Sequence, residues 1–126
     1  MTFSYDPSTN IGKVRREIHD IKDASITPGA GIFPDGENVS DEDIAYYLQQ
    51  ANDSIIGAAL SVLTVVANAY SIQATEVELG PFRESYKEVL VNLRRQINML
   101  ERRYDEEKRS NRIKIATSGT SLVQFS

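Results

Sequence analysis

Asp35, Glu37, Asp41, Glu42 and Asp43 bring five carboxylates close together, the kind of hard oxygen donors that could hold calcium. Their spacing is not that of an EF-hand loop. Asp41, Glu42 and Asp43 also follow Ser40, where acidic side chains favour the positive end of a helix dipole, and that role already explains three of the five. His19 is the sole histidine, so a His-dependent triad or a multi-histidine metal site has no ligands to draw on. With no cysteine there is no disulfide framework and no thiolate zinc site. Gly29, Gly31 and Gly36 lack the Lys-Ser/Thr that completes a phosphate-binding loop. No catalytic constellation emerges, and the chain is read as a non-enzyme with no cofactor and no metal.

The elements that carry these residues read as helices. One domain is the prior for 126 residues, and a charged share of 25% suits a globular chain. Pro7 disfavours helix at Asp6, and Ser8, Thr9 or Asn10 can cap a first helix running to about Asp20. That helix has Ile11, Val14 and Ile18 on one face, and Lys13, Arg15, Arg16 and Glu17 on the rest. Residues 22–39 hold three glycines and two prolines in the run T-P-G-A-G-I-F-P-D-G-E-N and read as a long loop. Ile32 and Phe33 inside it either tuck under the loop or contact a neighbouring subunit. Ser40 then opens a second helix, with Asp43 at the capping-box position and Val39 and Ile44 placed as a hydrophobic staple.

Ser54 to Thr75 contains no charged residue. Ser54, Gly57, Ser61, Thr64, Asn68 and Ser71 fall at alternating steps of three and four, so they line one stripe of a helix. The remainder is largely aliphatic, which predicts a nearly all-buried central helix covered by the charged segments. Its length would span a membrane, but the polar stripe, the alanine content and the acidic flanks argue against that. Val77 and Leu79 alternate with Glu76 and Glu78, as in a short extended link.

A last helix is expected from about Pro81 or Arg83 to Asn111, about 40 Å long. Tyr86, Leu93 and Leu100, and likewise Leu90, Ile97 and Tyr104, repeat every seventh position, giving one continuous apolar stripe. Its end beyond Tyr104 should project from the body. In residues 112–126, Ile113 and Ile115 alternate with Arg112 and Lys114, and Leu122, Val123 and Phe125 follow a Ser/Thr/Gly run, which suggests an extended docking tail. The expected organisation is therefore an all-α four-helix domain over 1–111 and a tail over 112–126. The opening residues show no basic region followed by an apolar run, so no signal peptide is expected.

Charge is divided unevenly. Residues 1–80 carry four basic and twelve acidic side chains, and residues 81–126 carry ten basic and six acidic. Such asymmetry suits head-to-tail self-association or two different partners. The acidic residues interleaved along the last helix argue against a DNA-binding face, though a small nucleic-acid-binding or regulatory protein is the alternative reading.

The order of these segments resembles the head–tail connector proteins of tailed bacteriophages, also called adaptor or head-completion proteins. The resemblance rests on T-N-I-G-K-V-R-R-E-I-H-D, the S-D-E-D-I opening of the second helix, the Ala-rich third helix and the final amphipathic helix, over roughly residues 8–108. Asp20 and the Ser40-to-Ile44 motif match the family pattern, whereas His19 stands where glycine is common and the following loop is longer. The resemblance implies a subunit of a homo-oligomeric ring, usually a dodecamer, in the virion neck. Such a ring assembles in the host bacterial cytoplasm beneath the portal protein, docks a downstream neck or tail protein, and passes DNA without reading its sequence. It also implies that Ile113, Ile115, Leu122, Val123 and Phe125 grip the portal. From the charges, Asp41, Glu42 and Asp43, with the loop bearing Ile32 and Phe33, are expected to meet Arg94, Arg95, Arg102 or Arg103 of a neighbour.

Overall fold

The computed structural model describes residues 2–76 and 80–124, with side chains over 2–75 and 85–113. The protein is all-α, with helices α1 (Asn10–Ile18), α2 (Asp41–Gln50), α3 (Ile55–Glu76) and α4 (Gly80–Gln124). Helices α1, α2 and α4 all pack on α3, and α4 makes the most extensive contact.

Each of the first three helices begins at a side-chain cap. Thr9 accepts from the Gly12 N–H at 3.0 Å, Ser40 from Asp43 at 3.1 Å and Ser54 from Gly57 at 3.0 Å. The staple residues Val39 and Ile44 are both buried, fixing the angle at which the loop enters α2. Helix α1 ends earlier than the pattern suggested, at Ile18, in a Schellman turn. His19 takes φ 61°, its N–H donates to the Arg16 carbonyl, and the Asp20 N–H reaches back to the Arg15 carbonyl at 3.0 Å. A second pair of left-handed residues, Asn52 (φ 53°) and Asp53 (φ 63°), makes the tight corner between α2 and α3.

Helix α3 buries Ala58, Ala59, Val62, Leu63, Val66, Ala67 and Ala74. Each large aliphatic side chain buried this way contributes about 1.5–3 kcal/mol. The helix is less enclosed than its composition suggested. Three neighbours cover three sides, while Thr64, Val65, Asn68, Ile72 and Thr75 remain exposed on the fourth. Among the described residues α3 is the one helix long and apolar enough to cross a membrane, and it serves as the core helix of the bundle.

Helix α4 runs antiparallel to α3. Tyr86 meets Tyr70 with ring centroids 5.9 Å apart, and Tyr104 lies over Gly57 near the start of α3. A Cβ at Gly57 would come within 2.9 Å of the Tyr104 ring, so glycine allows the close approach. The seven-residue seam is buried as expected at Leu90, Leu93 and Leu100, with Tyr86, Val89 and Ile97 packed beside them. The next positions in the two series are Glu107 and Asn111, where the apolar seam stops. From Lys108 to Ile113 every side chain is exposed.

The backbone stays helical to Gln124, across the 111/112 boundary, where an extended tail was expected. Extending an existing helix adds one hydrogen bond per residue and no nucleation cost, and this outweighs a two-isoleucine alternation. Helix α3 likewise continues through Glu76. The expected link at Val77–Leu79 and the tail residue Phe125 lie outside the described residues.

Replacing His19 with glycine should stabilise the protein by roughly 0.5–1 kcal/mol, because the left-handed position carries a Cβ penalty that exceeds the backbone entropy of glycine. Urea denaturation checks this. An unchanged or lower midpoint would show that the imidazole offsets the strain.

Candidate assembly interface

Arg15 is fully buried, as is Asp20, and the two are joined at 3.0 Å. This corrects the placing of Arg15 on the open face of α1. Ile11, Val14, Arg15 and Ile18 are spaced i, i+3, i+4 and i+7, so Arg15 occupies a core-stripe position. The guanidinium is satisfied by three separate segments. Nε donates to the Ser4 carbonyl at 2.7 Å, Nη1 to Asp20, and Nη2 to Asp41 at 2.7 Å. The Phe3 ring stacks on it, 4.1 Å from the guanidinium carbon to the centroid.

Asp20 extends the network into the loop. Besides Arg15 it accepts from the backbone N–H groups of Ile32 and Val39 and from the Asn38 side chain. Asn38, also buried, accepts from Ala24 N–H and donates to the Lys22 carbonyl. The long loop is therefore held from inside. No buried side-chain nitrogen or oxygen among the described residues lacks a partner.

The chain start is strapped across the N-terminus of α2. Asp41 N–H donates to the Thr2 carbonyl, and the Asp41 carboxylate accepts from Ser4 N–H and Oγ. Thr2 N–H donates to Glu42 at 3.2 Å. Burial pushes the Asp41 carboxyl up, but hydrogen bonds from Arg15 and Ser4 outweigh it and hold the group below the ordinary carboxylate range. Hydrogen bonding with Thr2 lowers Glu42 to about 2.

The candidate interface residues thus divide. Asp41 and Glu42 are engaged within their own chain, and so is Arg103, which pairs with Glu17 of α1 at 2.9 Å. Asp43, Arg94, Arg95 and Arg102 are exposed. Ile32 and Phe33 are half-buried against the core, the tucked arrangement of the two considered. Ile113 is 59% exposed on the projecting part of α4. Ile115, Leu122 and Val123 lie on the α4 backbone, and their side chains are outside the described set.

Two surface features surround these residues. A small cavity of about 140 Å³ between α1 and α4 is lined by Glu17, His19, Gln96, Met99, Leu100 and Arg103. His19 is exposed there, in keeping with an ordinary boundary residue. A broad concavity of about 600 Å³ is rimmed by Glu37, Glu42 and Asp43, and Phe33 lines it. No group of three or more potential metal-ligating side chains converges among the described residues.

Arg15→Met would leave the Asp20 carboxylate buried without its cation, at a cost of about 3–5 kcal/mol. The exposed Arg16→Ala should stay within about 0.5 kcal/mol of the parent, and denaturant midpoints of the two variants test the difference. The strap has its own pH dependence. Both carboxyls have folded-state pKa values below their unfolded values, so their contribution is complete above about pH 5. It is lost as pH falls through the folded values, that of Glu42 being about 2. Protection of the Ser4 amide, taken relative to its intrinsic exchange rate, should fall over that window, and Asp41→Asn should lower it already at neutral pH.

No family model, curated protein or solved structure matches this chain.

Proposed function

We propose that this chain is a structural subunit of a phage head–tail connector ring, seated in the virion neck between the portal and the next neck or tail protein. Copies assemble in the host cytoplasm, and the closed ring extends the channel through which DNA passes. The observation that supports this reading most is α4 outrunning its own seam. The helix has 45 residues, and beyond Glu107 its described side chains are all solvent-facing. A helix exposed on all sides is not stabilised by packing on its own body, which suits an arm that another subunit receives. The order of segments resembling the connector family adds to this, as does the split between an acidic body and a basic last helix.

On this reading the C-terminal residues Ile113, Ile115, Leu122, Val123 and Phe125 grip the portal. The backbone is helical as far as Gln124, so this segment is offered to the portal as a helix and not as an extended strand. The exposed arginines of α4 favour one second reading, a small helical nucleic-acid-binding protein. Duplex-DNA affinity falling steeply with salt would support it.

A truncation after Asn111 should keep the helical signal of the body and lose docking to the portal ring. Native mass measurement with and without the portal checks this. Docking that survives the truncation would remove the gripping role from the segment.

A further inference from the structure

We propose that the outward arginine row of α4, Arg95, Arg102 and Arg109, docks against the acidic concavity beside Phe33 on a second copy of this chain. The inference rests on the assembly reading above and names the two surfaces that meet.

The row is a matter of register. Arg95 and Arg102 each lie two residues beyond a buried seam leucine, Leu93 and Leu100, and Arg109 lies two beyond Glu107. Two residues turn a helix by about 200°, so the three arginines point directly away from α3. They repeat every seven residues, about 10.5 Å apart. All three are exposed, and none makes an ion pair with a described residue. Facing away from the body, they point away from the carboxylates of α1 and α2, and the carboxylates within helical reach of Arg102 and Arg109 are Asp105 and Glu106 of α4 itself.

The receiving surface is the acidic concavity. Glu37, Glu42 and Asp43 are all exposed on its rim; Glu42 also bonds to the N-terminal strap, which leaves Glu37 and Asp43 as the rim carboxylates outside the strap, and Phe33 lines the same concavity. A guanidinium suits such a site because it stacks on an aromatic face while bonding to carboxylates. The same chain already does this internally, where Arg15 stacks on Phe3 and bonds to Asp20 and Asp41. Glu37, Glu42 and Asp43 together outweigh the half positive charge of the α2 N-terminus.

The arginine side carries further signs of a protein partner. Val91 and Ile113 are 56% and 59% exposed on the same side of α4. Aliphatic groups among arginines gain by burial on protein and gain nothing from a phosphate backbone. Since row and concavity are different surfaces, the contact is head-to-tail, the kind that closes into a ring when the rotation permits.

Sedimentation velocity of the full chain at about 50 mM salt, where exposed charges are weakly screened, tests the contact. The parent should self-associate. The double variants R102E/R109E and E37K/D43K should each associate about tenfold more weakly. Combining all four substitutions, or mixing the two double variants, should restore association. Circular dichroism confirms that each variant is folded. A parent that stays monomeric overturns the proposal, as do swaps without effect and combinations without rescue. Loss of duplex-DNA binding in R102E/R109E with self-association unchanged would assign the row to phosphate instead. If self-association fails while the subunit still docks on the portal, this contact is refuted and the connector reading stands.

Discussion

A guanidinium buried in the core must find its partners within the protein, and Arg15 finds them on three separate segments. Ser4 comes from the chain start, Asp20 from the turn after α1, and Asp41 from the first turn of α2. One planar side chain therefore sets the relative placement of the strap, the long loop and two helices. Its geometry is demanding because the donors of a guanidinium are fixed in one plane, so the segments must arrive at set angles. Lysine could not substitute, since its single ammonium does not define that plane.

The second organising feature is the α3–α4 hairpin, which depends on shape more than charge. Gly57 admits the Tyr104 ring at one end, and Tyr70 packs on Tyr86 at the other. Between them the leucines of α4 close over the aliphatic side of α3. The Glu17–Arg103 pair then ties α4 to α1 at the surface, where such a pair adds little stability but fixes orientation. The polar and apolar halves of the fold thus meet at α1, which holds the buried arginine on one side and the ion pair on another.

Local signals were the readable ones. Ser40 with Asp43, and the staple of Val39 and Ile44, mark the start of α2 unambiguously, because capping is decided within a few residues. The seam of α4 was equally plain from its seven-residue repeat. What sequence concealed was non-local. Arg15 occupies a stripe position that its charge makes look solvent-facing, and only the arrival of Asp20, Asp41 and Phe3 makes burial favourable. The clue was there in its i+4 spacing from Ile11 and in the aspartate just after the helix. For the same reason Asp41 reads as a free surface carboxylate in sequence, although it is an internal ligand of the strap. The backbone of residues 112–124 misled in another way, because a short alternation of isoleucines is a weak signal beside a helix already under way.

The overhang of α4 has a mechanical consequence. Seventeen residues from Lys108 to Gln124 continue as one helix, a stiff outrigger about 25 Å long. A flexible tether would let its cargo wander over a volume that grows with length. An outrigger fixes both standoff and heading, so whatever holds its tip is oriented by the bundle at its root. A small tilt at the α3–α4 hairpin would swing the tip through a proportionally larger arc, and strain at either end would be felt at the other.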